Sequence, residues 1–292
     1  GREGVVVGQD GWLFTGEEVA FYEDAAAETA RKLAYVERVR DELAARNIAL
    51  VVALVPDKSR VYAEFVGREL PSHTGGRYER FRRALTARGV VAPDLLKALT
   101  DAKGSGRLYF RTDTHWTPAG AEVVAGALAE TLRTADAPGL FENLYVTETT
   151  GEELFRGDLF NFLPLGALQG RLGPPPERLE RRETSAAGGS AGGGLFGAQE
   201  VPVTLVGTSY SADARWNFAG ALQEALGADV LNLAAEGQGP LPPMRAYLRS
   251  PELRETPPSV VVWEIPERYL PRPTEQAGLE GQGRQDGRFE QP

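Results

Sequence analysis

The stretch VPVTLVGTSYS, residues 201–211, decides the fold that we expect for this chain. Its first seven residues form an apolar run rich in valine, which is typical of a parallel strand buried on both faces. Gly207 permits a sharp exit from that strand, and we expect a helix to start near Ser211. A buried strand that turns directly into a helix is the repeating unit of an α/β protein.

The same pattern recurs in both directions from this stretch. Further apolar runs predict buried strands at 48–55 (IALVVALV), 228–234 (ADVLNLA) and 258–265 (PSVVVWEI). Helical spacing predicts helices at about 17–47, 77–87, 93–100 and 117–132. In the last of these, Thr117 is the expected N-cap and Pro118 the first helical residue. Strands that alternate with helices imply an α/β fold with a mostly parallel sheet covered by helices on both faces.

The remaining segments are short or irregular. Residues 5–14 predict two extended pieces around a turn, whereas residues 151–200 show no regular pattern and include a Gly/Ser-rich, mobile loop at 183–197. We expect one globular domain at 1–270 and a disordered or loosely packed tail at 271–292, because that tail has almost no apolar residues. No apolar run is long enough to span a bilayer, and no secretory signal is visible.

Composition removes several classes of function. The 292 residues include 32 Lys plus Arg and 41 Asp plus Glu, and the net charge of −9 argues against a general nucleic-acid binder. The absence of cysteine excludes disulfides, thiolate metal sites and cysteine nucleophiles. Only His73 and His115 are available for histidine chemistry, and no acidic run resembles a Ca²⁺ loop, so we expect no metal.

Ser209 is the candidate nucleophile. It lies in the tight connection between a buried strand and a helix, where free backbone N–H groups and the positive end of the helix can stabilise an oxyanion. In the alternative interpretation, Ser209 or Ser211 only caps the helix. Of the two, Ser211 has more of the character of a cap and Ser209 that of a turn residue.

Asp113 and His115 are the candidate partners of that serine. They lie two residues apart just before a capped helix, so one loop can supply both a base and the carboxylate that fixes its tautomer. In the alternative interpretation, Asp113 is a turn residue and His115 packs on Trp116. His73 is in a stretch typical of an exposed turn, and we assign it no role.

Other residues near the ends of the predicted strands are weaker candidates. Glu264 lies near the end of the last strand, and Arg268 and Tyr269 follow that strand. These three residues either line the site or form an ordinary salt-bridged strand exit. An N–H group of Gly237 or Gly239 either completes an oxyanion hole or belongs to a simple turn. For Lys58, which follows the strand at 48–55, we expect a structural pairing.

Five motifs in a fixed order resemble the alginate O-acetyltransferase family of AlgJ/AlgX type, whose members are SGNH-hydrolase-like periplasmic enzymes that acetylate exopolysaccharides. The motifs are GQDGWLF at 8–14, VPDKSRVY at 55–62, TDTHWTPAG at 112–120, GTSYS at 207–211 and WEIPERY at 263–269. The resemblance runs from about Gly8 to Leu270, which is nearly the whole globular part.

The resemblance implies a three-layer SGNH-like sandwich and a triad of Ser209, His115 and Asp113. It places Tyr269 in the active site, and we take Arg268, Gly237 and Tyr210 as further candidate substrate or oxyanion contacts. The Asp-x-His pair precedes the serine, which reverses the order of ordinary SGNH esterases. The chain lacks the G-x-N-D block of those esterases, so the third oxyanion donor is unassigned.

The activity implied is O-acetylation of an exopolysaccharide, alginate or a related polymer, through an acetyl-serine. A membrane-bound O-acyltransferase would present the acetyl donor, and no soluble cofactor is implied. We expect a periplasmic monomer within a membrane-associated complex. Any membrane anchor would belong to a segment that is absent from this chain. The charge of −9 suits a polyanionic polymer only where a local basic patch lines the groove, and otherwise indicates a neutral polymer or one other than alginate.

Two other functions remain open at this stage. A carbohydrate acetylesterase of the same fold would use the same triad, and only the access of water would distinguish it. A non-catalytic polysaccharide-binding scaffold of a secretion complex would not require Ser209, His115 and Asp113 to converge.

Overall fold

A four-stranded parallel sheet lies at the centre of the protein, for which a computed structural model describes residues 4–134, 137–168, 171, 173–187 and 201–274. The strands are β3 (Ala49–Val55), β6 (Val203–Val206), β7 (Val230–Asn232) and β8 (Val260–Pro266). They run in the order β3-β8-β6-β7, so the last strand of the chain lies between β3 and β6. The prediction of one parallel sheet is confirmed.

Helices cover both faces of this sheet. They are α1 (Ala25–Ala44), α2 (Lys58–Val61), α3 (Arg77–Thr86), α4 (Leu95–Ala102), α5 (Pro118–Leu132), α6 (Ser209–Ala212), α7 (Phe218–Leu226), α8 (Leu241–Leu248) and α9 (Pro251–Glu255). Alternate residues of β3 face opposite cores: Val51 packs with α4, α5 and α7, whereas Val52 packs with α1, α3 and α8. The predicted three-layer α/β sandwich is therefore present. Among the described helices, none has both the length and the apolar character needed to cross a membrane.

Two antiparallel hairpins flank the sheet. The first pairs β1 (Val5–Val7) with β2 (Leu13–Thr15), as the sequence predicts. The second pairs β4 (Tyr145–Phe155) with β5 (Glu177–Ala186), so the expectation of an irregular segment after residue 151 is wrong. Many residues of this hairpin are polar and exposed, and arginine–glutamate pairs join its strands, so no apolar pattern marks it.

The Gly/Ser-rich loop predicted at 183–197 begins later than expected. Residues 183–186 belong to β5, where backbone hydrogen bonds to β4 hold them. Residues 188–197 of the predicted loop lie outside the described residues.

The helix predicted from Glu17 begins eight residues later, at Ala25. Glu17 and Glu18 instead form part of a short 3₁₀ turn, because both carboxylates bind distant segments. Glu18 accepts the Ser59 N–H at 2.8 Å, and Glu17 accepts hydrogen bonds from Arg268 at 3.1 Å and Arg272 at 2.8 Å. These bonds fix the chain in a direction that a continuous helix would not follow.

The first residues of the predicted tail lie against α1. Lys32 donates to the Arg272 carbonyl at 2.5 Å, and Glu28 accepts the N–H and the hydroxyl of Thr274 at 2.9 and 2.8 Å. Residues 271–274 are thus bound to the globular part, and residues 275–292 lie outside the described residues.

The start of α6 is fixed by a buried carboxylate on the neighbouring strand. Thr208, and not Ser211 as the sequence suggested, is the N-cap, and its Oγ1 accepts the Tyr210 N–H. Ser211 is instead a buried residue of α6 that donates its hydroxyl to Glu264 at 3.1 Å. Glu264, on β8, also accepts the Thr208 N–H at 2.6 Å. Burial raises the pKa of Glu264 in spite of these hydrogen bonds.

Gly207 is the residue that lets Glu264 approach this turn, and we expect Gly207→Ala to destabilise the protein. A Cβ atom at residue 207 would lie 2.5 Å from Glu264 Oε2 and 2.8 Å from Glu264 Cβ, and Glu264 is fully buried. Overpacking of this kind costs about 1–3 kcal/mol of the free energy of unfolding, which urea denaturation measures.

The matched control is Gly126→Ala on α5. Gly126 is exposed, and a Cβ atom there would have no neighbour within 4 Å. This change should raise the free energy of unfolding by about 0.5–1 kcal/mol, because alanine is the better helix former. Equal urea midpoints for Gly207→Ala and the wild type would contradict the close packing described above.

Glu264→Gln should alter how stability depends on pH. Since the pKa of Glu264 is raised in the folded protein from its ordinary value of 4.5, the folded state binds the proton more tightly than the unfolded state. The wild type therefore loses stability as the pH rises from about 4.5 through the folded pKa, whereas glutamine does not titrate. Urea denaturation over this pH range should show that the free energy of unfolding of the wild type falls relative to that of the variant. A difference that stays constant, or that grows in favour of the wild type, would contradict the assignment.

Candidate active site

Ser209 and His115 meet at the carboxyl edge of the sheet. Ser209 is the first residue of α6, directly after β6, and His115 lies on the loop that precedes α5. His115 Nε2 and Ser209 Oγ are 2.7 Å apart, which is hydrogen-bond distance. The side chain of His115 is 12% exposed, so the pair is accessible but largely shielded.

Asp113 binds the other side of the same imidazole ring. Its Oδ1 lies 2.6 Å from His115 Nδ1 and accepts the His115 backbone N–H at 2.9 Å, while Oδ2 accepts the Asp158 N–H at 2.8 Å. Burial alone would raise the pKa of Asp113, but the hydrogen bonds and charge of His115 and the N–H donors lower it. The ionised carboxylate can only accept, so Nδ1 carries the ring proton and Nε2 is free to accept the Ser209 hydroxyl.

The loop that carries Asp113 and His115 is held in place by the β4–β5 hairpin. Glu177, at the start of β5, accepts the backbone N–H groups of Arg111 and Thr112, each at 2.8 Å. After β4, Asp158 accepts the Thr114 N–H at 2.8 Å. Gly157 packs so closely that a Cβ atom there would lie 2.2 Å from the Thr112 carbonyl. The hairpin therefore fixes the loop from several directions.

Glu177, Gly157 and Asp158 were not predicted from the sequence as residues of the site. The hairpin that carries them lacks an apolar pattern, and an acidic residue in a polar stretch gives no sign that it will be buried. The Gly-Asp pair at 157–158 was not marked either, because the strand that it follows was not predicted.

Lys58 holds the same loop through hydrogen bonds to its backbone carbonyl groups. It is fully buried at the start of α2, and its Nζ donates to the carbonyl groups of Leu13 at 2.6 Å, Arg111 at 2.9 Å and Asp113 at 2.8 Å. Burial lowers the pKa of Lys58 to about 8, although nearby carboxylates such as Glu18 oppose the shift. The structural pairing expected for this residue is therefore with backbone carbonyls.

Two aromatic side chains enclose the His115 ring. Trp216 stacks on it with centroids 5.3 Å apart, and the Tyr210 ring lies 4.7 Å away on a tilted plane. Tyr210 is 1% exposed, donates its hydroxyl to the Thr114 carbonyl at 2.7 Å and accepts from Arg268 at 3.2 Å. Its side chain thus packs against the histidine within the protein and does not line the cavity over Ser209.

A cavity of about 860 Å³ opens over Ser209 and His115. Arg268 and Tyr269 line it, which is one of the two alternatives that the sequence left open, and so do Asp158 and Arg272. Gly237 lines a different cavity, of about 440 Å³, on the other side of Tyr269. The cavity over Ser209 is large enough for a small ligand or for part of a polymer.

Asp113, His115 and Asp158 also place one potential ligand atom each within 4.8 Å of one another. Both carboxylate oxygens of Asp113 already accept N–H donors, and His115 Nε2 faces Ser209. A cation would have to displace these donors. The arrangement therefore fits proton transfer better than it fits a metal ion.

The chain resembles known proteins over most of its length. The family model described as "SGNH hydrolase-like domain, acetyltransferase AlgX" matches residues 5–267. "Probable alginate O-acetylase AlgJ" of Azotobacter vinelandii is 47% identical over 274 residues, which cover 93% of this chain and 71% of that protein. Its namesake from Pseudomonas aeruginosa is 45% identical over 284 residues, with 93% and 71% covered.

Solved structures give the same result. The "O-Acetyltransferase Domain of Pseudomonas putida AlgJ" superposes with a TM-score of 0.88 at 42% identity and covers 96% of each chain. AlgX of Pseudomonas aeruginosa superposes with a TM-score of 0.73 at 29% identity and covers 93% of this chain and 64% of that one. The resemblance and the SGNH-like fold expected from the motifs are confirmed. This chain belongs to the family of SGNH hydrolase-like acetyltransferases of AlgX type.

Proposed function

We propose that Ser209, His115 and Asp113 act as a catalytic triad that transfers an acetyl group onto hydroxyl groups of alginate or a related exopolysaccharide. The observation that supports this most is the continuous chain of hydrogen bonds from Asp113 through His115 to Ser209, with distances of 2.6 and 2.7 Å. A nucleophile, a base and the carboxylate that orients the base are the parts that acyl transfer through a covalent intermediate needs.

In the first half-reaction, His115 Nε2 removes the proton from Ser209 Oγ as that oxygen attacks the carbonyl carbon of an acetyl ester. The imidazolium that forms is stabilised by the adjacent Asp113 carboxylate. When the tetrahedral intermediate collapses, the leaving alcohol takes the proton back from Nε2. Acetyl-Ser209 and neutral His115 remain.

In the second half-reaction, a sugar hydroxyl replaces the departed alcohol. His115 removes its proton while the sugar oxygen attacks the acetyl carbon, and the Ser209 oxygen then leaves and recovers its proton from Nε2. The oxyanion of both tetrahedral intermediates develops beside the first turn of α6. In that turn the N–H groups of Tyr210, Ser211 and Ala212 bond to Thr208, so the N–H donor of the oxyanion hole stays unassigned.

Charges of both signs line the cavity over Ser209. Arg268 and Arg272 line it, and both pair with Glu17, which lines it too, as does Asp158. Two arginines and two acidic residues leave no net positive charge, so the lining does not by itself offset the net charge of −9 for a polyanionic acceptor.

We also propose a setting for the reaction. "Alginate biosynthesis protein AlgX" of Pseudomonas aeruginosa is 35% identical over 280 residues, which cover 91% of this chain and 56% of that protein. By analogy, the chain works in the periplasm within a polysaccharide-synthesis complex, where a membrane-bound O-acyltransferase partner presents the acetyl donor.

The non-catalytic scaffold is the weaker alternative, because a scaffold gives no reason for three side chains from two distant loops to converge. The acetylesterase is the stronger one, because the same triad would serve it, with water in place of the sugar hydroxyl.

Ser209→Ala should abolish the acetyl-serine. The change removes the attacking oxygen, so turnover of an acetyl ester should fall by about three orders of magnitude or more. Brief exposure to an activated acetyl ester followed by intact-mass measurement should show one added acetyl group on the wild type and none on the variant. Turnover that persists in Ser209→Ala would contradict the triad and favour the scaffold.

Ser211→Ala is the matched control two residues away. This hydroxyl faces Glu264 and not the cavity, so most of the turnover and the acetyl adduct should survive. The lost hydrogen bond to a buried carboxylate should lower the free energy of unfolding by about 1–3 kcal/mol. A variant that is stable but inactive would mean that the two serines have been assigned the wrong way round.

Transfer and hydrolysis are separated by the response to an acceptor. With an activated acetyl ester alone, the wild type should release acetate slowly; oligomannuronate should accelerate consumption of the ester and appear acetylated by mass spectrometry. The reason is that a sugar hydroxyl bound beside Ser209 competes with water for the acetyl-serine. Ester consumption that is unaffected by oligomannuronate, with acetate as the only product, would favour the esterase.

A further inference from the structure

A second cavity, of about 440 Å³, adjoins the one over Ser209. It lies between the loop at 237–240, the start of α8 and the segment that follows β8. Tyr269 and Arg272 line both cavities and thus form their common wall. A chain-like ligand that leaves the Ser209 cavity across Tyr269 therefore enters the second cavity next.

The side chains that line this cavity are basic. Lys32, Arg245 and Arg272 line it, and no acidic residue does so within the described part of the chain. Lys32 faces Glu28 at 3.5 Å, and Arg272 faces Glu17 at 2.8 Å, so each of these two charges has an internal partner. The half-buried Arg245 has no carboxylate or other acceptor within hydrogen-bond distance among the described residues. Its guanidinium group is available to a ligand.

The shape of the cavity depends on glycine in the loop at 237–240. Gly237 and Gly239 both have left-handed backbone conformations, with φ of +72° and +71°. A Cβ atom at Gly239 would lie 3.1 Å from the Tyr269 ring. The missing side chain of Gly239 lets the loop approach the ring closely, whereas a Cβ atom at Gly237 would meet nothing within 4 Å. The left-handed conformation alone accounts for a glycine at 237, without a role at the oxyanion.

We propose that this second cavity is a binding subsite for the acceptor polymer. In it, Arg245 binds the carboxylate of a uronate residue near the sugar that receives the acetyl group from Ser209. The inference rests on the proposed function, because it assumes a polyuronate acceptor. Such a polymer carries one carboxylate on every sugar, so a chain held over Ser209 presents further carboxylates to the neighbouring cavity. A guanidinium group binds a carboxylate through two parallel, charge-assisted hydrogen bonds.

The subsite predicts that Arg245 affects long acceptors and leaves the chemistry unchanged. An oligomannuronate too short to cross Tyr269 cannot reach Arg245, whereas a longer one can. Arg245→Gln removes the charge and keeps a polar side chain of similar reach. For the longer acceptor it should raise KM by about three- to tenfold with little change in kcat, the size expected for one partly exposed charge pair.

Arg249→Gln is the matched control. Arg249 follows α8 one turn after Arg245, is exposed, lacks an ion pair among the described residues and does not line the cavity. Arg249→Gln removes one positive charge, as Arg245→Gln does, so an effect of the net charge alone would appear equally in both variants. Hydrolysis of a small acetyl ester in the absence of acceptor should be the same in both variants and the wild type.

The test measures equilibrium binding and acetyl transfer separately, using short and long oligomannuronates and a neutral cello-oligosaccharide. Weaker binding of only the long oligomannuronate to Arg245→Gln, with wild-type binding to Arg249→Gln, supports the subsite. Equal binding of that ligand to both variants overturns it, as does an equal loss for the neutral oligosaccharide. Failure of the wild type to acetylate any oligomannuronate would instead overturn the proposed function, and the binding measurement would still decide the subsite.

Discussion

The buried ammonium group of Lys58 is the interaction on which the rest of the site depends. Its three N–H donors are matched by three backbone carbonyls, from β2 and from two residues of the loop that carries the histidine. Burying a charge is unfavourable, as the lowered pKa of the lysine shows, and only complete pairing makes it tolerable. A neutral residue at this position would leave three carbonyls without donors in a dry interior. The lysine thus fixes the relative position of the first hairpin, the sheet and the Asp113 loop.

Two buried carboxylates repeat this principle at neighbouring points. Glu264 binds the turn that carries Ser209 to the adjacent strand, and Glu177 binds the Asp113 loop to the long hairpin. In each case a buried side chain accepts hydrogen bonds from backbone N–H groups that no secondary structure would satisfy. Apolar packing cannot supply this directional constraint. The site is therefore held by a polar network placed at the edge of an otherwise apolar sheet.

The parts of this structure that follow from local pattern could be predicted from the sequence. The four central strands are apolar and β-branched, and the pairing of His115 with Asp113 requires only a two-residue separation on one loop. The residues that surround the site could not be predicted, because their roles depend on contacts between segments far apart in the chain. Thr208 caps α6 where Ser211 was expected to, because the helix begins at Ser209 and Ser211 lies inside it. Gly237 follows a strand, as the residues of the site do, yet the path of its loop places it beyond Tyr269.

The position of β8 in the sheet sets the order in which the protein becomes active during synthesis. β3 and β6 do not pair with each other; both pair with β8, which is made last among the strands. Until residues 260–266 have left the ribosome, the strand that carries Ser209 has no partner linking it to the strand that leads to Lys58. Arg268 and Tyr269, which line the cavity, follow only after that. A nascent or truncated chain that lacks these residues would contain Ser209, His115 and Asp113 without the strand that joins β3 to β6.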